Sequence, residues 1–244
     1  NGIVTRAEAE EIFSWIEKSQ RYSFNKSHSV SYAYNSYMTA YAKAHFPHEF
    51  FTSYLKHAVG KPDTFIEVQE LVNNAKIMGI NTMPPSIMHM NEEFELIEKH
   101  PRYGLTNVKG VGSSVFRKMI DHMESENINA NECDWTCFLL LVSPRVNKKA
   151  FENLILAGAF DCFKMCRSKM QHHHGIVKEF SKREIAWLTI YKQNNLDKTT
   201  EDCIQAMIDA SQDKDKKRPI FRKARIPIVQ DLLRAYNDPG YKLF

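Results

Sequence analysis

The sequence predicts a mostly α-helical protein. A multi-helical domain leads into two helices joined by a glycine turn, and a helical tail follows. Three observations carry this. Apolar residues recur three and four positions apart in one segment after another, glycine and proline fall between those segments, and no strand-rich region appears anywhere.

The first helix opens at "TRAE", where Thr5 and Glu8 can satisfy each other's backbone donors as a capping box, and Ala9, Ile12, Phe13 and Ile16 then form a stripe. Ser27 or Ser29 is the expected cap of a second helix, with Val30, Tyr34, Met38 and Tyr41 as its packing stripe. Pro47 limits that helix, because the residue before a proline disfavours the helical backbone. A third helix carries Phe50, Phe51, Tyr54 and Leu55 to a stop at Gly60. A fourth carries Phe65, Val68, Leu71, Val72 and Ala75 to Gly79. "GINTMPPS" cannot be regular helix and leads into a short extended piece around Phe94–Ile97, after which helices resume near Leu105. The segment "CFLLLV" (Cys137–Val142) reads as a buried turn or two, far short of a membrane span. Past Phe163, "KEFSKREIAWLTIYKQ" is still amphipathic. "SQDKDKKRP" is a charged linker with little to bury, and Ile226, Ile228, Val229, Leu232 and Leu233 form a last short helix.

The 244 residues suffice for one large or two modest domains, and a 43% hydrophobic content excludes disorder. A net charge of +4 leans weakly towards anionic partners. The cations cluster in residues 18–26, 109–118, 145–149 and 214–225. An odd number of cysteines, five, points to a reducing compartment. The chain starts at Asn1 with no signal peptide in view, which predicts a beginning inside a longer polypeptide or a trimmed one.

The sharpest local pattern is "LTNVKGVGSSVFRKMI". Gly110 and Gly112 flank apolar Val111, after a short apolar segment and before a helix, which is the helix-hairpin-helix pattern. Such a turn leaves backbone N–H groups open at a positive helix terminus, suited to a phosphate. Lys109, Gly110, Val111, Gly112, Ser113, Arg117 and Lys118 are therefore candidate DNA-binding residues, gripping backbone without reading sequence. "VNKKAFENLILAGAFD" echoes it loosely. Asn147 could cap a helix of Phe151, Leu154 and Ile155 that Gly158 ends, with Lys148 and Lys149 presented to a phosphate chain.

Zinc is not expected. Cys162 and Cys166 lie near His172–His174, and Cys133 and Cys137 could complete four thiols, but the spacing is looser than paired zinc ligands. Helical i, i+4 packing accounts for both cysteine pairs, and the histidine triplet reads as a polar loop or as a contact to DNA phosphates. Asp213 and Asp215 form a D-x-D pair inside the lysine-rich linker, where solvated charge is the expected role.

Four stretches taken together, "YSFNKSHSVSYAYNSYMTAYAKAHFPHEFF", "AKIMGINTMPPSI", "YGLTNVKGVG" and "NKKAFENLILAGAFD", closely resemble in the same order the bacterial replicative DNA polymerase III α subunits, the C-family polymerases. The likeness runs to about Phe163. It implies a fingers-like helical domain over residues 1–100, a helix-hairpin-helix DNA-binding element over 101–163 that holds the duplex, and a divergent helical tail over 164–244. It implies that Arg21, Asn25, Lys26, Ser27 and His28 face the incoming nucleotide's triphosphate, a role that a lysine and hydroxyls at a helix start suit physically. Partners implied are primer–template DNA, deoxynucleoside triphosphates, a palm-containing segment or subunit and other replisome proteins, with no membrane. The location implied is the cytoplasm at the nucleoid, that of the host if the chain is phage-encoded.

A polymerase palm supplies aspartates in an apolar, extended setting to hold two metal ions, and no such set is found here. Mg2+ is thus expected for the assembled polymerase and not on this chain, which alone should be inactive and contribute no catalytic residue. The tail's "QDLLRAY" has Gln230, Leu232 and Leu233 without the terminal aromatic pair of a sliding-clamp motif. The rival readings are a non-enzymatic DNA-binding module on the same scaffold, and an interaction subunit whose residues 214–244 dock a replisome partner.

Overall fold

The computed structural model describes residues 3–20, 26–59, 64–212 and 225–235. Arg21, Asn25, Gly60, Asp213, Asp215 and most of the charged linker lie outside the described residues. The chain divides into two compact units, residues 1–50 and 51–244.

In the first unit, α1 (Arg6–Gln20) begins at the expected capping box. Thr5 N donates to Glu8 Oε2 at 2.6 Å, and Glu8 N donates to Thr5 Oγ1 at 3.4 Å. Helix α2 (Lys26–His45) is already helical at Lys26, so Ser27 and Ser29 sit inside its first turn and are not its cap. Its expected packing stripe also differs from observation, since α2 buries none of its residues and Val30, Tyr34, Met38 and Tyr41 are all exposed. A stripe at helical spacing shows that a helix can bury a face; a covering surface must be supplied, and among the described residues of this unit nothing supplies one. The rings instead associate along the helix, His28 with Tyr32 at 4.4 Å and Tyr41 with His45 at 4.2 Å between centroids.

Helix α3 (Pro47–Ala58), in which the division falls, takes Pro47 as its first residue, a position where the missing N–H costs nothing. The rest of it belongs to the second unit, where Phe51, Leu55 and Ala58 are buried. Helix α4 (Thr64–Ile77) ends in a Schellman motif: Gly79 N donates to Lys76 O at 3.0 Å and Ile80 N to Ala75 O at 2.9 Å. The proline loop then runs to a hairpin of β1 (Glu95–Ile97) and β2 (His100–Arg102), antiparallel with Leu96 opposite Pro101. The loop joins the hairpin edge through Met83 N on Pro101 O at 2.7 Å and Tyr103 N on Met83 O at 3.0 Å. Arg102 Nη1 also donates to Pro84 O at 2.9 Å. At Gly104 the chain crosses residues 92–93 so closely that a Cβ would lie 2.2 Å from Glu92 O, which fixes where the next segment starts.

From there the fold is helical: a 3-10 turn at Leu105–Asn107, α5 (Ser113–Ser125), α6 (Trp135–Leu141), α7 (Lys148–Ala157), α8 (Arg167–Lys178), α9 (Lys182–Asn194), α10 (Thr200–Gln212) and α11 (Ile226–Ala235). One hydrophobic core runs from Ile87 to Val229 through all of these helices. Its centre is aromatic. Phe138, Phe151 and Phe160 are fully buried, with ring centroids 5.0–6.5 Å apart, and Trp135 packs at their edge. Phe138, Leu139, Leu140 and Val142 are buried as "CFLLLV" predicts.

The later helices are tied in by polar contacts. Ser181 and Glu184 make a second capping box at α9, with Ser181 N on Glu184 Oε2 at 2.6 Å. Buried Lys192 reaches from α9 to the cap of α6, donating to Asp134 Oδ2 at 2.6 Å and to Lys198 O at 2.8 Å, and also to Leu196 O. Asp134 Oδ1 meanwhile accepts from Cys137 N at 2.7 Å, so one carboxylate both starts α6 and neutralises the buried ammonium. Among the described residues no helix is long and apolar enough to cross a membrane.

Candidate nucleic-acid interface

The segment Val108–Ser114 carries the chain from the 3-10 turn into α5 with most of its residues exposed. Val111 is buried at 2% exposure and its N–H closes a turn on Val108 O at 3.0 Å, while Lys109, Gly110, Gly112, Ser113 and Ser114 are exposed. Gly110 has φ +85°, the left-handed region a side chain disfavours, so the turn requires glycine there. Gly112 differs. As N-cap of α5 it has φ −84° and ψ 167°, open to any residue, and a Cβ would meet nothing within 4 Å. Among the described residues, then, neither backbone angle nor packing demands a glycine at position 112.

Glycine also brings no side-chain cap to α5. The N–H groups of Val115 and Phe116 both return to Gly112 O, at 2.9 and 3.0 Å, which leaves those of Ser113 and Ser114 without an intrahelical acceptor. No acidic residue occupies the first turn. Arg117 lies one turn above Ser113 and Lys118 one turn above Ser114, and both are exposed. Exposed donors, positive end and flanking cations together suit an anionic oxygen.

The second half is braced internally. Asn147 Oδ1 accepts from Ala150 N at 2.8 Å, so α7 is capped by its own chain, and Gly158 ends it at φ +88°. Lys148 and Lys149 are its first two residues and are exposed. Lys178, at the end of α8, donates to Ser143 O at 2.9 Å and to Val146 O at 3.2 Å, closing the loop before α7. Two residues that sequence reasoning missed hold the halves in place. Lys178 is one; the other is Asn153, whose Nδ2 donates to Lys109 O at 2.6 Å across 44 residues of sequence. Neither has a local signature, because each works through a partner far away in the chain.

The histidine triplet is no loop and is not a surface feature. His172, His173 and His174 are buried within α8. His173 Nδ1 accepts from Trp135 Nε1 at 3.1 Å, leaving Nε2 to donate to Glu201 Oε1 at 3.1 Å. That bond, with another from Lys169, holds the Glu201 carboxyl well below the usual carboxylate range. His174 stacks on Phe151 at 4.6 Å with neither ring nitrogen hydrogen-bonded, and burial pushes its pKa down to about 3. Cys133 and Cys137 bring their sulfurs to 3.5 Å, and burial pushes the Cys137 thiol up to about 12. Neither pair shares a helix: Cys133 precedes the Asp134 cap of α6, and the exposed Cys162 and Cys166 lie in a 3-10 turn and at the cap of α8, so helical spacing relates neither pair.

Of the candidate triphosphate residues, Lys26, Ser27 and His28 are exposed at the start of α2, whose first turn holds no acidic residue. Arg21 and Asn25 lie outside the described residues.

A model of the helix-hairpin-helix motif family matches residues 79–170, from the Schellman glycine to the start of α8. Among curated proteins, the DNA polymerase III subunit alpha of Buchnera aphidicola is 33% identical over 212 residues, 80% of this chain. Those of Aquifex aeolicus and Thermus aquaticus are 36% and 34% identical over 69% and 66% of this chain. The chain is homologous to a segment of the DNA polymerase III α subunit. It covers 18%, 14% and 13% of these three α subunits, under a fifth of their length. The Buchnera match takes in more of the chain than the stretch ending at Phe163 can supply, so the likeness to α subunits continues into the later helices. For the divalent ion that an α subunit's polymerase chemistry implies, the residues present do not fit: among the described residues no group of three or more His, Cys, Asp or Glu side chains could hold a metal.

Proposed function

We propose that the chain is the fingers and helix-hairpin-helix part of a C-family replicative DNA polymerase. In this reading residues 1–100 are the fingers-like part, 101–163 the duplex grip and 164–244 a helical tail. Lys109, Gly110, Val111, Gly112, Ser113, Arg117 and Lys118, joined by Lys148 and Lys149, hold the DNA backbone. Arg21, Asn25, Lys26, Ser27 and His28 meet the triphosphate of the incoming nucleotide. Nucleotidyl transfer itself, with Mg2+, belongs to carboxylates on other polymerase sequence, and the assembly works at the nucleoid.

The observation that carries this reading is Gly112. It is a glycine without conformational or packing need, at an uncapped, exposed helix start between cations. A side chain there would occupy the space and the donors that a phosphate needs. The test is Gly112→Ser, because serine is a good N-cap and its backbone geometry is permitted. The variant should melt at the wild-type temperature or slightly above and bind a short DNA duplex about tenfold more weakly, as expected for loss of charge-assisted hydrogen bonds. Equal duplex affinity would remove the hairpin from the DNA interface.

The fingers assignment has its own test. In a polymerase containing this chain, Lys26→Ala should lower kcat/KM for the incoming nucleotide about tenfold, the loss of one cation–phosphate contact. Unchanged nucleotide KM and rate would sink it, and duplex binding without any effect on incorporation would favour the non-enzymatic DNA-binding module.

A further inference from the structure

The geometry points to Asn153 as a positioning residue that aims the Gly110 N–H at the DNA backbone. This rests on the reading of the α5 hairpin as the duplex grip and adds to it a donor and the residue that sets its direction.

Asn153 lies in α7, half-buried, and its Nδ2 donates to Lys109 O at 2.6 Å. Lys109 O and Gly110 N belong to one peptide unit, and no described peptide is cis. In a planar trans peptide the C=O and the N–H point in opposite directions. Tying the Lys109 carbonyl to α7 therefore turns the Gly110 N–H away from α7. No acceptor among the described residues takes that N–H, and Gly110 is exposed. It points outward in the same exposed turn as the free N–H groups of Ser113 and Ser114.

The left-handed backbone of Gly110 makes the tie consequential. Glycine tolerates several backbone regions almost equally, so its own preferences do not choose the orientation of the 109–110 peptide. Val111 anchors one side of the turn by burial and its bond to Val108 O. The Lys109 carbonyl is the remaining handle, and Asn153 holds it. A Cβ on Gly110 would meet Asn153 Nδ2 at 3.5 Å, an ordinary contact, so the amide lies close against this turn. Asn153 itself carries no charge and touches DNA at no point in this scheme.

The test compares Asn153→Ala, Asn153→Leu and Asn153→Gln in the 244-residue chain, using a short DNA duplex as the probe. Affinity is read by fluorescence anisotropy across a salt series. Alanine and leucine should each weaken binding about fivefold to tenfold, roughly what one phosphate–amide hydrogen bond contributes, and glutamine should restore part of it. The dependence of log Kd on log salt should keep its slope, because no cation has been removed; Lys109→Ala in the same assay should lower the slope by about one. In 15N–1H spectra the Gly110 amide should shift on duplex addition in the wild type and not in Asn153→Ala, while Ser113 and Ser114 still shift. A merely structural role would abolish all three shifts together. Wild-type affinity in both Asn153→Ala and Asn153→Leu would overturn the inference and leave the duplex grip standing. Failure of the wild-type chain to bind duplex would overturn both.

Discussion

Phe151→Ala should cost about 3–5 kcal/mol of unfolding free energy, the range for emptying a fully buried phenylalanine site. Phe151 is 0% exposed and lies where three helices and the segment after α7 meet. Its ring stacks on His174 of α8 at 4.6 Å and on Phe138 of α6 at 6.5 Å, and meets the tilted ring of Phe160 at 5.0 Å. The surrounding rings are rigid and held by several helices, so they cannot collapse into the space, which places the cost towards the upper end. Denaturant unfolding followed by circular dichroism measures it. Phe151→Leu keeps most of the volume and should cost under about 1.5 kcal/mol. Equal losses for both would mean that the site is not a packed aromatic junction.

What was legible in the sequence was what neighbouring residues decide among themselves. The Thr5–Glu8 box, the Asn147 cap, the glycine ends at Gly79 and Gly158 and the break at Pro47 all appear as read, because each is a bargain struck within four residues. The extended piece at Phe94–Ile97 appears too, as half of a hairpin. Its turn residues Glu98 and Lys99 both have positive φ, at 52° and 65°, a conformation that neither residue type advertises. The stripe of α2 shows the limit from the other side. Its spacing is that of a buried face, yet burial depends on a partner surface that helical periodicity does not contain.

The site divides in the same way. Gly110 and Gly112 announced the hairpin, but the sequence gives them one shared role, and only the backbone angles separate a glycine the turn needs from one it does not. Asn153 and Lys178, which hold the two hairpin loops, are 44 and at least 32 residues from the carbonyls they bind, so no local pattern marks them. The histidine triplet was misjudged because three adjacent polar residues suggest a surface. In α8 they are spread around a helix that the core surrounds, and their burial is offset for His173 by Trp135 and Glu201.

His174 receives no such offset, and the fold should lose stability in mild acid as a result. Its ring nitrogens find no hydrogen-bond partner, Glu152 Oε1 is 4.0 Å from Nδ1, and Lys178 and Lys148 add repulsion to the cost of burial, so the pKa sits at about 3. In the unfolded chain an ordinary histidine titrates near 6.5. Between those values the unfolded state binds a proton that the folded state refuses, so stability rises with pH across the window. The neutral ring contributes its full stability above about 6.5, and that is lost progressively as pH falls towards 3. Integrating from pH 7 to pH 5 gives a loss of about 2 kcal/mol. Glu201, whose folded pKa is lowered, keeps its contribution above the ordinary carboxylate range and loses it as pH falls below about 4.5, so it adds little to the change between pH 7 and pH 5. His174→Phe keeps a ring stacked on Phe151 and removes the titration. Its unfolding free energy should lose about 2 kcal/mol less than wild type between pH 7 and pH 5, measured by urea melts at both values. An equal loss in both proteins would show that His174 is not the group that refuses the proton.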